Sequence, residues 1–182
     1  MTEVTLEQVA SYCTELGLMN RIDLERRLVE MMLTTKQGSH LVYLRLDTER
    51  EVLSVRIPMV ASAPVERRAV MARVITHLNY NLLLKGFVFD LSDGEVAYDL
   101  PVPFRGIGIC RDQVSQCLLA ANWTLNTHMP TVREACWGSR SVEEILGLPL
   151  PEPADALTQA LTDGATPVPP SPDVGPIEPA RA

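Results

Sequence analysis

The sequence predicts an α+β domain of order α-β-β-β-α-β-β-α, with an antiparallel five-stranded sheet and helices packed mainly on one of its faces. Three observations carry that reading. Between residues 42 and 57 apolar and polar side chains alternate in two runs, as half-buried strands require. From Pro64 the apolar period becomes that of a helix. After Gly86 it returns to two, on either side of Ser92-Asp93-Gly94-Glu95.

Thr5-Leu6-Glu7-Gln8 has the spacing of a capping box, and Leu6, Val9, Cys13 and Leu16 share one helical face up to a stop at Gly17. Residues 21–27 (RIDLERR) form a charged insert. Residues 28–35 fit either a helix begun at Asp23 or a strand. The strand is preferred, because the next two segments need a neighbour to pair with. Lys36-Gln37-Gly38-Ser39 turns the chain. Val42, Leu44 and Leu46 then alternate with Tyr43, Arg45 and Asp47, and after a turn at 48–51, Leu53, Val55 and Ile57 alternate with Ser54 and Arg56.

Residues 64–85 (PVERRAVMARVITHLNYNLLLK) read as one long helix. Pro64 suits the first turn, where a missing N–H costs nothing, and Lys85 followed by Gly86 makes a C-terminal stop. Met71, Val74, Ile75, Leu78 and Leu82 fall on one stripe. Val65, Ala69, Ala72, Tyr80 and Leu83 fall on a second, nearly opposite, while Glu66, Arg73, His77 and Asn81 fill a polar wedge. A surface helix of a small monomer needs only one apolar stripe. The first is therefore expected on the sheet, and the second on another element or another subunit. Ala69, Ala72, Tyr80 and Leu83 are the expected dimer interface.

Phe87, Phe89 and Leu91, then Val96, Tyr98, Leu100 and Val102, mark the two arms of a hairpin. Asp93-Gly94 between them predicts a type I′ turn, in which both central residues need φ > 0. The acids Asp90, Asp93 and Glu95 do not make a calcium loop, because Gly94 falls where a ligand should stand. The loop Arg105-Gly106-Ile107-Gly108 lacks the third glycine and the βαβ setting of a dinucleotide fingerprint. Val114, Cys117, Leu118, Ala121 and Leu125 predict a helix to about Thr127. Met129-Pro130 is expected to break it, with Pro130 opening a further short helix to Trp137. Ser141-Val142-Glu143-Glu144 is a second capping box, for a short helix ended by Gly147.

At 182 residues and 46% apolar, the chain can hold one domain of about 150 residues plus a tail. Nine of the 14 prolines lie from 149 onward. Residues 1–148 are thus read as the domain. Residues 149–182 are read as a Pro-rich acidic tail, mostly disordered, with 154–162 (ADALTQALT) able to form a short amphipathic helix. Of the net charge of −7, the domain carries −3 and the tail −4, which excludes a broad basic footprint for nucleic acid. No run of apolar residues is long enough to span a membrane, and the N-terminus lacks a basic-then-apolar signal, so a cytoplasmic location without a membrane partner is expected.

No catalytic constellation, metal ligand set or cofactor motif emerges. Cys13, Cys110, Cys117 and Cys136 show no paired spacing and sit in apolar helical contexts, where cysteine packs as a small hydrophobe. His40, His77 and His128 stand apart from any nucleophile motif, and Cys117 and His128, on one helix, are about 16 Å apart along its axis. A local basic patch of Arg67, Arg68 and Arg73, joined by Arg21, Arg26, Arg27 and Lys36, would allow phosphate contacts. Glu66, Asp23, Glu25 and Glu30 interleave with it, as on an ion-paired face.

The run HLNYNLLLKGFVFDLSDGEVAYDLPVPF resembles the YbjN family of bacterial proteins. There a helix ending in Leu-Asn passes through a Gly-Phe-like step into a hairpin bearing Asp-Gly. The resemblance covers about residues 3–138, and the chain departs from it in the 21–27 insert and the Pro-rich tail. Members are described as sensory-transduction regulators. Their fold is similar to the class I chaperones of type III secretion, small acidic homodimers that bind an extended partner segment without catalysis. The resemblance implies a homodimeric, non-enzymatic, chaperone-like adaptor or regulator that binds a segment of a partner protein. Binding would bury the segment on apolar surface or add it as a strand at an open sheet edge. Leu28, Met31 and Tyr43 are the expected partner-binding residues. The alternative is a nucleic-acid-associated regulator using the basic patch.

Overall fold

Each period-two run forms a strand, and one more is added to the five expected. A computed structural model describes residues 4–84 and 86–149. These lie, but for Pro149, in a unit spanning Met1–Leu148. The tail beyond Pro149 and its 154–162 helix lie outside the described residues.

Helix α1 (Leu6–Glu15) leads into β1 (Asn20–Asp23), β2 (Leu28–Thr35), β3 (Gly38–Asp47) and β4 (Val52–Ser62). A 3-10 turn (Val65–Arg67) opens α2 (Arg68–Asn81). β5 (Phe87–Phe89), β6 (Glu95–Pro103), α3 (Arg111–Trp137) and α4 (Val142–Leu146) complete the order. The sheet is antiparallel, in the order β1-β2-β3-β4-β6-β5.

The unexpected strand is β1. The charged insert is half strand and half turn: Asp23 Oδ1 accepts the Arg26 N–H at 2.9 Å, and Arg27 takes the left-handed conformation at φ 54°. The β3–β4 turn is built the same way. Asp47 Oδ1 accepts the Arg50 N–H at 2.9 Å, and Glu51 has φ 52°. Both turns carry Asp-Xaa-Glu-Arg, at 23–26 and 47–50.

Register sorts the side chains by face. Ile22, Val29, Leu44, Val55 and Leu100 make one row across five strands. All but Ile22 are buried, beneath Val9, Met71, Val74, Ala121, Leu125 and Met129 of the helices. The neighbouring row is Arg21, Glu30, Tyr43, Arg56 and Asp99, on the helix-free face. There Arg21 pairs with Glu30, and Arg56 with Asp99 at 3.2 Å. A slip of one residue would exchange the two rows, so burial fixes the pairing.

Three local expectations are corrected. First, α2 begins at Arg68 and ends at Asn81, with Leu82 already extended; Lys85 lies outside the described residues. Gly86 does not have the positive φ of a left-handed helix stop. It is needed for space instead, since a Cβ there would sit within 2.9 Å of three ring carbons of the fully buried Tyr98. Second, the hairpin loop is not type I′, because only Gly94 has positive φ. The loop is longer, closed by Gly94 N–H to Asp90 O and Asp90 N–H to Glu95 O, both 2.9 Å. The Arg68 guanidinium holds its tip by donating to the carbonyls of Leu91 (3.0 Å) and Ser92 (2.8 Å). Third, α3 runs unbroken through Pro130. Pro130 is exposed while Met129, Val132, Ala135 and Cys136 beside it are buried, so core packing beyond the proline outweighs the lost helix bond.

Gly86→Ala is expected to destabilise the protein by about 1–3 kcal/mol through overpacking against Tyr98. Urea unfolding followed by circular dichroism checks this; an unchanged midpoint would mean that the close approach is absent.

Candidate functional site

The two stripes of α2 separate as their spacing requires. Met71, Val74, Ile75 and Leu78 are buried against the sheet and α3. On the other side of the helix Ala69 and Tyr80 (83% exposed) face out and Ala72 is half-buried, while Val65 (73%), in the 3-10 turn, and Leu83 (97%), past the extended Leu82, are exposed beyond the helix ends. All four expected interface residues thus lie at or near the surface of a single chain. Leu84, just past the helix, is exposed as well. Val88 of β5 is also exposed, but it lies beside Arg56 on the helix-free face. Nearby, a run of edge-to-face rings leads inward from the exposed Trp123. Its ring lies 5.9 Å from His128, His128 6.4 Å from Phe87, and Phe87 6.0 Å from the buried Tyr98.

Strand addition meets a barrier at this edge. β5 is three residues long, and the outward backbone groups of Phe87 are already taken. Its N–H donates to Asn79 Oδ1 at 3.2 Å, and its carbonyl accepts from Asn79 Nδ2 at 2.7 Å. One helix carboxamide thus occupies the position of a strand partner. The other edge, β1, is four residues long and carries Arg21 and Asp23, a short charged edge of the kind that resists pairing.

The expected partner-binding residues do not form a surface. Met31 points into the core and is 3% exposed. Leu28 lies on the opposite face but is covered. Tyr43 is half-buried there, with the Arg26 guanidinium 5.0 Å above its ring. Arg67, Arg68 and Arg73 of the nucleic-acid alternative are each engaged inside the chain. Arg67 donates to the carbonyls of Ala135 (2.9 Å) and Arg140 (3.1 Å), closing the end of α3. Arg68 holds the hairpin tip, and Arg73 pairs with Glu143 at 2.6 Å, tying α4 to α2.

The buried thiols are poor nucleophiles. Burial pushes Cys13 and Cys136 up to about 11 and raises Cys117, so all three stay protonated near neutrality. Cys117 and His128 share α3 as expected, eleven residues apart. Among the described residues no three His, Cys, Asp or Glu side chains cluster as metal ligands. No helix there is long and apolar enough to cross a membrane.

Sequence reasoning missed the Asn79 clamp and the twin turns. The second was legible as a repeated Asp-Xaa-Glu-Arg, once the turn at 47–50 had been assigned. The first was not, since an asparagine in a last helical turn has no fixed partner.

Two predictions follow from these contacts. Asn79→Asp keeps the acceptor for the Phe87 N–H but leaves its carbonyl unpaired, and should cost about 1–3 kcal/mol in urea unfolding. Faster amide exchange at Phe87 is the local signature; unaltered exchange there would rule the clamp out. The second concerns acid. Burial lowers His128, and burial with the Arg133 charge lowers His40, both from an ordinary 6.5. The unfolded chain therefore takes up protons first as pH falls, so stability present above about pH 6.5 is lost below it. His128→Asn should flatten this loss between about pH 7.5 and 5.5 relative to wild type. An identical slope would place His128 outside the linkage.

Compared with known proteins, the chain matches the model of the YbjN family, described as "Putative bacterial sensory transduction regulator", over residues 5–134. No curated protein matches it.

Proposed function

The chain belongs to the YbjN family, and from that premise we propose that it is a cytoplasmic, non-enzymatic, homodimeric regulator that binds a segment of another protein. The observation that carries this reading is the outer stripe of α2. A helix that buries one stripe in its own core leaves Ala69 and Tyr80 in water, and Val65 before it and Leu83 and Leu84 after it are exposed as well. Grouped apolar surface of this kind marks association sites. Two α2 helices crossing about a two-fold axis at Ala69 and Ala72 would cover that end of the stripe on both copies and leave its Tyr80 end open. The Ala69 and Ala72 end allows close approach of the two backbones. Tyr80 and Leu83, with Trp123 near the β5 edge, then supply the large side chains that anchor a partner segment. Burial on this face is favoured over strand addition, because Asn79 occupies the β5 edge.

Ala69→Glu is expected to weaken self-association by about tenfold or more while leaving the circular dichroism unchanged, since Ala69 is exposed in the single chain. Sedimentation equilibrium measures it. A wild type that stays monomeric at high concentration, or a variant as dimeric as wild type, removes α2 as the dimer face. Tyr80→Glu should abolish nuclease-resistant capture of the partner from the native cell.

A further inference from the structure

The helix-free face of the sheet carries a depression beside two of its turns. The β1–β2 and β3–β4 turns lie side by side, joined by Arg27 Nη2 donating to Thr48 Oγ1 at 3.2 Å. Against them opens a depression of about 430 Å³, lined among others by Arg27, Arg45, Arg50, Asp47, Glu49 and Ser54. Its arginines are not equivalent. Arg50 is committed to Asp47: Nη1 lies 3.3 Å from Oδ2, while Oδ1 takes the Arg50 backbone N–H. Arg27 donates to a neutral hydroxyl, and Arg45 has no acidic partner among the described residues. Three arginines against Asp47 and Glu49 leave the lining positive, in a chain of net charge −7.

We propose that this depression binds a small oxyanion, a phosphate ester or a dicarboxylate. Arg27 and Arg45 would supply guanidinium donors and Ser54 a hydroxyl. Register puts Leu28, Arg45 and Ser54 in one row on this face, a strand spacing apart. Arg27, in the turn just before Leu28, is brought to the same depression by its contact with Thr48. Planar guanidinium forks match anions with several oxygens, and donors not spent on internal acids are the ones free to make such bonds. Arg27 is held in the left-handed conformation by its turn, so its side chain leaves the backbone from a fixed position. The opposing Glu49 disfavours weakly held monovalent anions and selects ligands that engage both arginines. The site shares no residue with the outer stripe of α2, so ligand binding here and association there are separable.

The test is a proton–nitrogen NMR titration of the full chain with inorganic pyrophosphate and, separately, with succinate, at ionic strength held constant with potassium chloride. Saturable shifts at residues 26–28, 45 and 48–54 are expected, and the anion that saturates first assigns phosphate or carboxylate chemistry. Arg45→Gln, an exposed strand position, should weaken binding about tenfold, the worth of one charge-assisted hydrogen bond. Arg27→Asn, which tolerates the left-handed turn, should do the same. Absence of saturation by either anion, equal shifts with chloride alone, or affinity unchanged in Arg45→Gln would overturn the proposal. The spectrum of each variant reports directly whether it is folded.

Discussion

The carboxamide of Asn79 holds the joint between α2 and β5. It sits in the last turn of α2 and pairs with both free backbone groups of Phe87, fixing where the chain re-enters the sheet. Everything after that joint depends on it. Phe87 must face Tyr98 across the β5–β6 pair, and Gly86 must be small enough to pass the Tyr98 ring. Asn20 ties the other edge strand to the helix layer. Its amide lies within hydrogen-bonding range of the Ala10 and Leu18 carbonyls and the Thr14 hydroxyl. Each end of the sheet is thus fastened to a helix by one asparagine.

That fastening bears on how the protein can associate. A sheet with free edges recruits partners through backbone hydrogen bonds, which are indifferent to sequence. Here the outermost strands are three and four residues long and Phe87 is already paired, so the faces offer more surface for association than those strands do. The two faces differ in kind. The helix layer shows water an apolar stripe whose grouping comes from the helical period of α2. The bare sheet face carries the row from Arg21 to Asp99, in which most charges meet an opposite neighbour. Apolar burial suits the first face. Only donors left over from pairing can act on the second.

The sequence made legible those features that rest on periodicity. The strand choice for 28–35, the exposure of Ala69 and Tyr80 opposite the buried stripe of α2, the capping box at Ser141 and the helix end at Gly147 are found as expected. Features that rest on a distant partner were not legible. β1 offers only Ile22 to the core, too little alternation to register as a strand. Pro130 ends helices by local rule, and only the core packing of Met129 to Cys136 overrides it. Met31 was read as surface because a strand's period says which residues share a face but not which face is covered. Gly86 has the sequence position of a helix stop, yet its constraint comes from Tyr98, twelve residues later.

Arginine shows most plainly why composition cannot assign a role. Arg67, Arg68 and Arg73 fall within seven residues and invite a phosphate-binding reading. Each instead meets an acceptor created by the fold: the end of α3, the hairpin tip, and Glu143 of α4. Arg27 and Arg45 are 18 positions apart in sequence, and only Arg27 falls among the basic residues first considered for phosphate. Yet the fold lines one depression with both, and the nearest acid, Asp47, is paired with Arg50. A guanidinium finds carbonyls wherever helices and loops end, so arginines near element ends become staples. Those in mid-strand on a bare face have only side chains to meet, and their function is decided by whether those side chains are charged. By that criterion Arg45, with Ser54 beside it, is the arginine on this face best placed for a ligand from outside the chain.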